Sequence, residues 1–164
     1  MSGLAFLTSS DFMKKMNNGR TMLCHAIKGM SMILFYSTQC THCQSMIPKY
    51  KKLPGAIHGC IFGMINVSQN KDIVSLSENT ISPIQYVPLI ILYIDGNPFM
   101  RYDGPPETQE LINFIINIHS KLKNKQTFVS EDIEEETNEI PCYGIPCGNN
   151  KTYLKFIEAY PPTN

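Results

Sequence analysis

Two cysteines at C-x-x-C spacing stand between a buried strand and a helix, and this arrangement constrains the fold most. The strand is the apolar run Met32–Tyr36, and the motif is Cys40-Thr41-His42-Cys43. Apolar residues then recur along one helix face, at Cys43, Met46, Ile47, Tyr50 and Leu53. Because a helix N-terminus stabilises negative charge, Cys40 lies where a thiolate is favoured. The pattern predicts a reversible two-electron thiol–disulfide switch.

Zinc binding is the alternative use of such a pair. A structural zinc site normally takes four ligands, yet the sequence has no second C-x-x-C and no H-x3-H partner. Cys24 and His25 are adjacent, but a lone Cys-His pair is more typical of structural residues. The strand–helix context therefore favours redox chemistry, and we expect no metal site.

Three further markers follow the motif in order. Pro48 lies five residues after Cys43, Val87-Pro88 precedes the apolar run 89–94, and Gly104 follows Tyr102-Asp103. With these markers, residues 3–120 resemble the thioredoxin family. The resemblance implies an α/β, thioredoxin-like sandwich in which helices flank a central mixed sheet. Alternating strands and helices that finish in a hairpin at Asp95-Gly96 predict the same class.

The local pattern also predicts individual elements. We expect strands at 4–7, 32–36, 60–67, 88–94 and 99–102, and a short helix containing Phe12, Met13 and Met16 that Asn17-Asn18-Gly19 terminates. Further helices are expected from Cys43 to Pro54-Gly55, after an Asn70 cap, and after Pro105-Pro106. Residues 21–28 are ambiguous.

The position of the motif at the helix start and the family resemblance together predict the roles of the site residues. Cys40 is the expected nucleophile and Cys43 the resolving thiol. His42, when protonated, would favour the Cys40 thiolate. The resemblance implies a cis bond at Pro88, which leaves the Val87 backbone free to pair with a substrate chain. Tyr86, Gln39 and Thr41 are expected to contact substrate with Val87.

Two departures from the family pattern keep two functions open. Leu34 and Met64 replace the buried acid and the lysine that often accompany the motif, and Gln39 replaces the usual aromatic residue. The first function is a thiol–disulfide oxidoreductase for protein disulfides, poised as an oxidase or isomerase and needing no cofactor beyond the Cys40–Cys43 disulfide. The alternative is a thioredoxin-like binding or structural module with little redox turnover.

Composition changes after the last domain helix. We predict a domain at 1–122, an acidic linker at 123–139, and an extension at 140–164 that packs on the domain or on a partner subunit, which allows a homodimer. Cys142 and Cys147 are either a second redox pair or free thiols. Cys60, in an apolar strand, is expected to be buried and inert.

Charge and terminal residues suggest the environment. Fourteen basic and fourteen acidic residues give zero net charge, and no basic patch indicates nucleic-acid binding. No run is long enough to span a membrane, and residues 1–11 make a poor secretory signal. We therefore expect a cytoplasmic protein with protein thiol or disulfide partners and an unknown electron donor or acceptor. The Asn-, Ile- and Lys-rich composition suggests an A/T-rich genome, such as that of a large DNA virus, for which a virion location is open.

Overall fold

The computed structural model describes residues 4–17, 19–123, 140 and 142–143. The strands in this part of the chain are β1 (Leu4–Leu7), β2 (Met13–Asn17), β3 (Arg20–Cys24), β4 (Met30–Tyr36), β5 (Cys60–Asn66), β6 (Leu89–Ile94), β7 (Asn97–Tyr102) and β8 (Cys142–Tyr143). The α-helices are α1 (Thr41–Tyr50), α2 (Leu53–Ala56), α3 (Lys71–Ser77) and α4 (Thr108–Lys123), and a short 3-10 helix spans Ser9–Asp11.

A six-stranded sheet with the order β1-β5-β4-β6-β7-β8 forms the centre of the fold. Strands β1, β5 and β4 are parallel, whereas β6 runs antiparallel to both β4 and β7. Strand β4 is buried on both faces from Met30 to Phe35, as a continuous apolar run requires. Leu34 lies opposite Met64 on one side and Ile90 on the other. The predicted α/β sandwich with a central mixed sheet is confirmed.

The short helix expected around Met13 and Met16 is wrong. Those residues form β2, which pairs antiparallel with β3, and Gly19 takes a positive φ of 77° in the turn between them. Asn-Gly between two short runs is a hairpin signal, and it overrides the weak helical spacing of the apolar residues. The ambiguous segment 21–28 accordingly begins as a strand.

The hairpin is attached to the main sheet through its second strand. The His25 N–H donates to the Gly96 carbonyl at 3.0 Å, and the Ile81 N–H donates to the Thr21 carbonyl at 3.0 Å. Gly96 has a φ of 85°, and a Cβ atom there would clash with the His25 carbonyl oxygen. A glycine is therefore required at this contact.

Two predicted helix boundaries need correction. The helix expected to run to Pro54-Gly55 is divided into α1 and α2, because Pro54 has no N–H to continue the ladder and fits the first turn of a new helix. Asn70 precedes α3 but its side chain does not cap it. Instead its Oδ1 accepts the Ser9 N–H at 3.0 Å and its Nδ2 donates to the Asn66 carbonyl at 2.9 Å.

The beginning of the predicted extension contacts the domain. Ile140 is only 4% exposed, and its N–H donates to the Ile81 carbonyl at 2.8 Å. Strand β8 then pairs parallel with β7, with Tyr143 opposite Tyr102. The predicted linker at 123–139 lies almost wholly outside the described residues, as does most of 140–164, so the domain boundaries stay a prediction. Among the described helices, none is long and apolar enough to cross a membrane.

A buried histidine lies between the hairpin and the sheet. His25 is 4% exposed, and its Nδ1 accepts the Ile27 N–H at 3.1 Å. The neutral ring must then carry its proton on Nε2, which faces the Ser31 hydroxyl at 3.2 Å. The ring also packs against Tyr93, with centroids 4.4 Å apart. Burial lowers the His25 pKa to about 4, although the nearby Asp11 charge acts in the opposite direction.

This histidine predicts acid sensitivity of the fold. Between pH 6.5 and about pH 4, the unfolded chain binds a proton that folded His25 does not. The free energy of unfolding should therefore fall by up to about 3 kcal/mol as the pH drops through that window. Urea denaturation at several pH values measures it. His25→Gln should reduce the slope of the unfolding free energy against pH, whereas His58→Gln, at an exposed site, should leave that slope unchanged. An unchanged slope in His25→Gln would refute this assignment.

Candidate active site

Cys40 occupies the N-cap position of α1, directly after the loop that leaves β4. Its φ of −102° and ψ of 120° are extended, and its Sγ accepts the Cys43 N–H at 3.2 Å. Its own N–H donates to the Ser37 carbonyl at 3.2 Å, which fixes the turn. Cys40 is partly exposed. A backbone donor and the positive end of the helix dipole therefore both face a sulfur that solvent and substrate can reach.

Cys43 lies one turn into the helix and has the opposite environment. It is fully buried, with 0% exposure. Burial raises the pKa of the Cys43 thiol to about 12, and its hydrogen bond to Cys40 acts in the same direction. Both cysteines carry free thiols in this structure. The two sulfurs thus differ in exposure, and only the thiol of Cys40 is open to a reaction partner in solution.

Val87 and Pro88 lie directly against the motif. Their peptide bond is cis, and Pro88 comes immediately before β6. The Cys40 thiol approaches the Val87 carbonyl oxygen at 3.7 Å. The structure therefore brings together Cys40, Cys43 and the Val87–Pro88 backbone, which are distant in the sequence.

A groove of about 370 Å³ opens beside the motif. Its described lining residues are His42, Ser45, Met46, Tyr86, Val87, Pro88, Ile90, Tyr102, Asp103, Gly104 and Pro106. The Asp103 carboxylate forms part of one wall, where it accepts a hydrogen bond from the Tyr86 hydroxyl at 3.3 Å. It also pairs with Arg101 Nε at 3.2 Å. A groove of this size next to a partly exposed thiol can hold a few residues of polypeptide.

Four residues predicted from the sequence line this groove: His42, Tyr86, Val87 and Pro88. Gln39 and Thr41 are exposed beside the motif and are not among the described lining residues. Met46 and Asp103 were missed as site residues. Met46 appears in the sequence as a core position of the helix, and Asp103 appears as the end of a strand, so only the fold shows that both face the groove.

The two positions at which the family often carries a buried acid and a lysine are apolar in this chain, as the sequence indicates. Leu34 and Met64 are paired across β4 and β5 and are 0% and 2% exposed. Both belong to the core cluster that also contains Met46. No carboxylate is therefore supplied at these two positions to accept a proton from Cys43.

Cys24 and Cys60 are buried outside the motif. Cys24 is buried and its thiol donates to Asn97 Oδ1 at 3.3 Å. Cys60 is 2% exposed, and burial raises its pKa to about 12, in agreement with a buried, inert thiol. Within the part of the chain that the structure describes, no three His, Cys, Asp or Glu side chains group as metal ligands. Cys142 belongs to β8, and Cys147 lies outside the described residues, so their proposed pairing stays a prediction.

A mixed sheet with a C-x-x-C helix start facing a cis-proline loop defines a thioredoxin-fold protein. The Thioredoxin family model matches residues 5–117. The chain belongs to the thioredoxin family.

Two viral proteins are similar to this chain over most of its length. Uncharacterized protein 196R of Invertebrate iridescent virus 6 is 35% identical over 130 residues, which cover 79% of this chain and 74% of that protein. Uncharacterized protein 020R of Invertebrate iridescent virus 3 is 29% identical over 96% of both chains. These relatives are consistent with a large DNA virus as the source.

Solved structures show the same fold at low identity. Thioredoxin f from spinach chloroplast superposes with a TM-score of 0.52 at 15% identity, covering 71% of this chain and 87% of that one. ERdj5 (form II) gives a TM-score of 0.55 at 14% identity and covers 80% of this chain. The present chain spans only 15% of the ERdj5 chain, so the likeness concerns a small part of that protein.

The unequal environments of the two thiols predict unequal labelling. At neutral pH, iodoacetamide should modify Cys40 in the reduced, folded chain and spare Cys43, because the thiolate is the reactive form. Peptide mapping by mass spectrometry measures both sites, with buried Cys60 as an internal reference. All three should react once guanidinium unfolds the chain. Labelling of Cys43 at the rate of Cys40 would contradict the assigned environments.

Proposed function

We propose that this chain is a thiol–disulfide oxidoreductase that exchanges disulfides in protein substrates through Cys40 and Cys43. The observation that carries the proposal is the asymmetry of the pair: the exposed sulfur accepts a helix N–H at 3.2 Å, and its partner is fully buried. Family membership supports the general kind of chemistry. The specific activity, its direction and its substrates belong to this proposal.

The reaction proceeds in two exchanges. The Cys40 thiolate attacks one sulfur of a substrate disulfide, the substrate S–S bond breaks, and the leaving sulfur departs as a thiolate that takes up a proton. Cys43 then attacks the Cys40 sulfur of the mixed disulfide. Its proton passes to the second departing substrate thiolate, and the Cys40–Cys43 disulfide forms. The substrate gains two electrons and two protons, which the enzyme dithiol loses.

The groove and the Val87 backbone hold the substrate beside Cys40. The Val87 carbonyl already lies 3.7 Å from the Cys40 sulfur, so an extended segment alongside Val87 would place its own sulfur next to the nucleophile. His42 is exposed on the groove wall. Its protonated ring would favour the Cys40 thiolate, and hence the reduced enzyme, which would make the disulfide a stronger oxidant.

One observation favours the alternative of a binding module with little turnover. Burial raises the Cys43 pKa to about 12, and the apolar side chains of Leu34 and Met64 supply no base for the resolving step. Under this alternative the groove would still hold a partner polypeptide, but mixed disulfides would not turn over.

Trapping separates the two functions. Cys43→Ser should accumulate mixed disulfides between Cys40 and a disulfide-containing substrate such as insulin, because the resolving thiol is gone. Cys40→Ser should trap none and should reduce insulin only at the background rate of dithiothreitol alone. Cys60→Ser is the matched control and should behave as wild type. Mixed disulfides through Cys43 in Cys40→Ser would overturn the assignment, and a wild-type chain without insulin reduction would favour the binding module.

A further inference from the structure

The last described strand ends at the rim of the candidate active site. Strand β8 runs parallel to β7, so both strands end at the same edge of the sheet. Leu89, at the start of antiparallel β6, lies opposite Phe35 near the end of β4, which places the motif at that edge too. Tyr143 lies opposite Tyr102, and Tyr102 lines the groove. The chain after Tyr143 therefore leaves the sheet beside the groove.

Two contacts hold Ile140 and β8 in this position. Ile140 is 4% exposed and belongs to the core cluster that contains Ile81 and Ile91. Its N–H bond to Ile81 and the pairing of β8 with β7 fix both the place and the direction of the segment. The residues after Tyr143 are thus tethered at a known point rather than attached through a long linker.

We propose that residues 144–147 of this chain occupy the groove and compete there with substrate polypeptide. The inference rests on the proposed function in one respect, since it takes the groove to be the substrate site. Four extended residues reach about 14 Å. Pro88 lies two strands away from Tyr143 and two residues along β6 from Ile90, a separation of roughly 12 Å. The segment is therefore long enough to bring Cys147 to Pro88, beside the Val87 carbonyl that the Cys40 sulfur approaches at 3.7 Å.

The chemistry of the segment matches that of the groove. Gly144-Ile145-Pro146-Cys147 carries no charged side chain. Val87, Pro88 and the ring of Tyr86 line the groove and are not buried, so they provide accessible apolar surface. The Asp103 carboxylate in its wall is already paired with Arg101 and Tyr86. An uncharged segment with Ile145 and Pro146 thus suits this surface better than a charged one.

Disulfide formation measures the position of Cys147 without any turnover. The full chain with Cys43→Ser and Cys142→Ser is equilibrated with oxidised and reduced glutathione. Cys40 first forms a mixed disulfide with glutathione, and the Cys147 thiolate then displaces reduced glutathione to form Cys40–Cys147. The control chain carries Cys147→Ser and Asn149→Cys in addition, which keeps the tether length almost the same.

If the segment is docked, the effective concentration of the thiol relative to Cys40 should be at least tenfold higher for Cys147 than for the cysteine at position 149. A flexible tether would give nearly equal values at the two positions, because effective concentration changes slowly with tether length. Nearly equal values would overturn the proposal. Disulfide-linked dimers in place of the intramolecular bond would also overturn it, since a second copy would then fill the groove.

Protection of Cys40 tests the same occupancy in the chain without cysteine substitutions. Ile145→Asp should raise the rate of Cys40 modification by N-ethylmaleimide about fivefold or more, because a carboxylate disfavours the apolar groove. Ile157→Asp, at an apolar residue further along the extension, is the control and should leave the rate unchanged. Equal rates in wild type and Ile145→Asp would refute the proposal, as would an equal effect of the control. If the segment protects Cys40 but the wild-type chain does not reduce insulin, this inference holds and the proposed function is refuted.

Discussion

The hydrogen bond from the Cys43 N–H to the Cys40 sulfur is the contact on which the candidate site depends. It forms because Cys40 is the N-cap of α1, where backbone donors have no partner within the helix. The buried strand β4 delivers the chain to this point, and the Ser37 carbonyl fixes the turn. The same helix carries Cys43 into the core, where burial makes it a weak acid. One local geometry thus gives two thiols of one motif different chemistry.

The sheet extends this local geometry into a site for polypeptide. Val87 and Pro88 lie against Cys40 because β6 pairs antiparallel with β4 and begins at the motif edge. Strand β7 returns to that edge, where Tyr102 and Asp103 form the far wall of the groove. Strand β8 then pairs with β7 and ends at the same edge of the sheet. If residues 144–147 occupy the groove as proposed, only substrates that bind the groove more tightly than this segment would displace it and reach Cys40.

Much of this could be predicted from the sequence. The C-x-x-C motif, Pro88 and the buried apolar runs are local signals that can be read directly along the chain. The order of the predicted strands and helices then indicates the mixed sheet. The β2–β3 hairpin was missed because Met13 and Met16 have helical spacing, although Asn18-Gly19 is typical of a tight turn. Asp103 and Met46 could not be assigned to the site, since their role depends on which elements are neighbours. The pairing of Tyr143 with Tyr102 spans 41 positions of sequence, and no local pattern indicates it.

The redox equilibrium of the full chain with glutathione tests the central claim most directly. The chain is equilibrated across a series of glutathione buffers, quenched with acid, alkylated, and mapped by mass spectrometry. The account predicts one two-electron transition in which a Cys40–Cys43 disulfide forms while Cys24 and Cys60 stay reduced, with a tenfold change in the equilibrium constant for about every 30 mV. A chain in which Cys40 and Cys43 form no disulfide with each other, or in which the transition belongs to other cysteines alone, would contradict it.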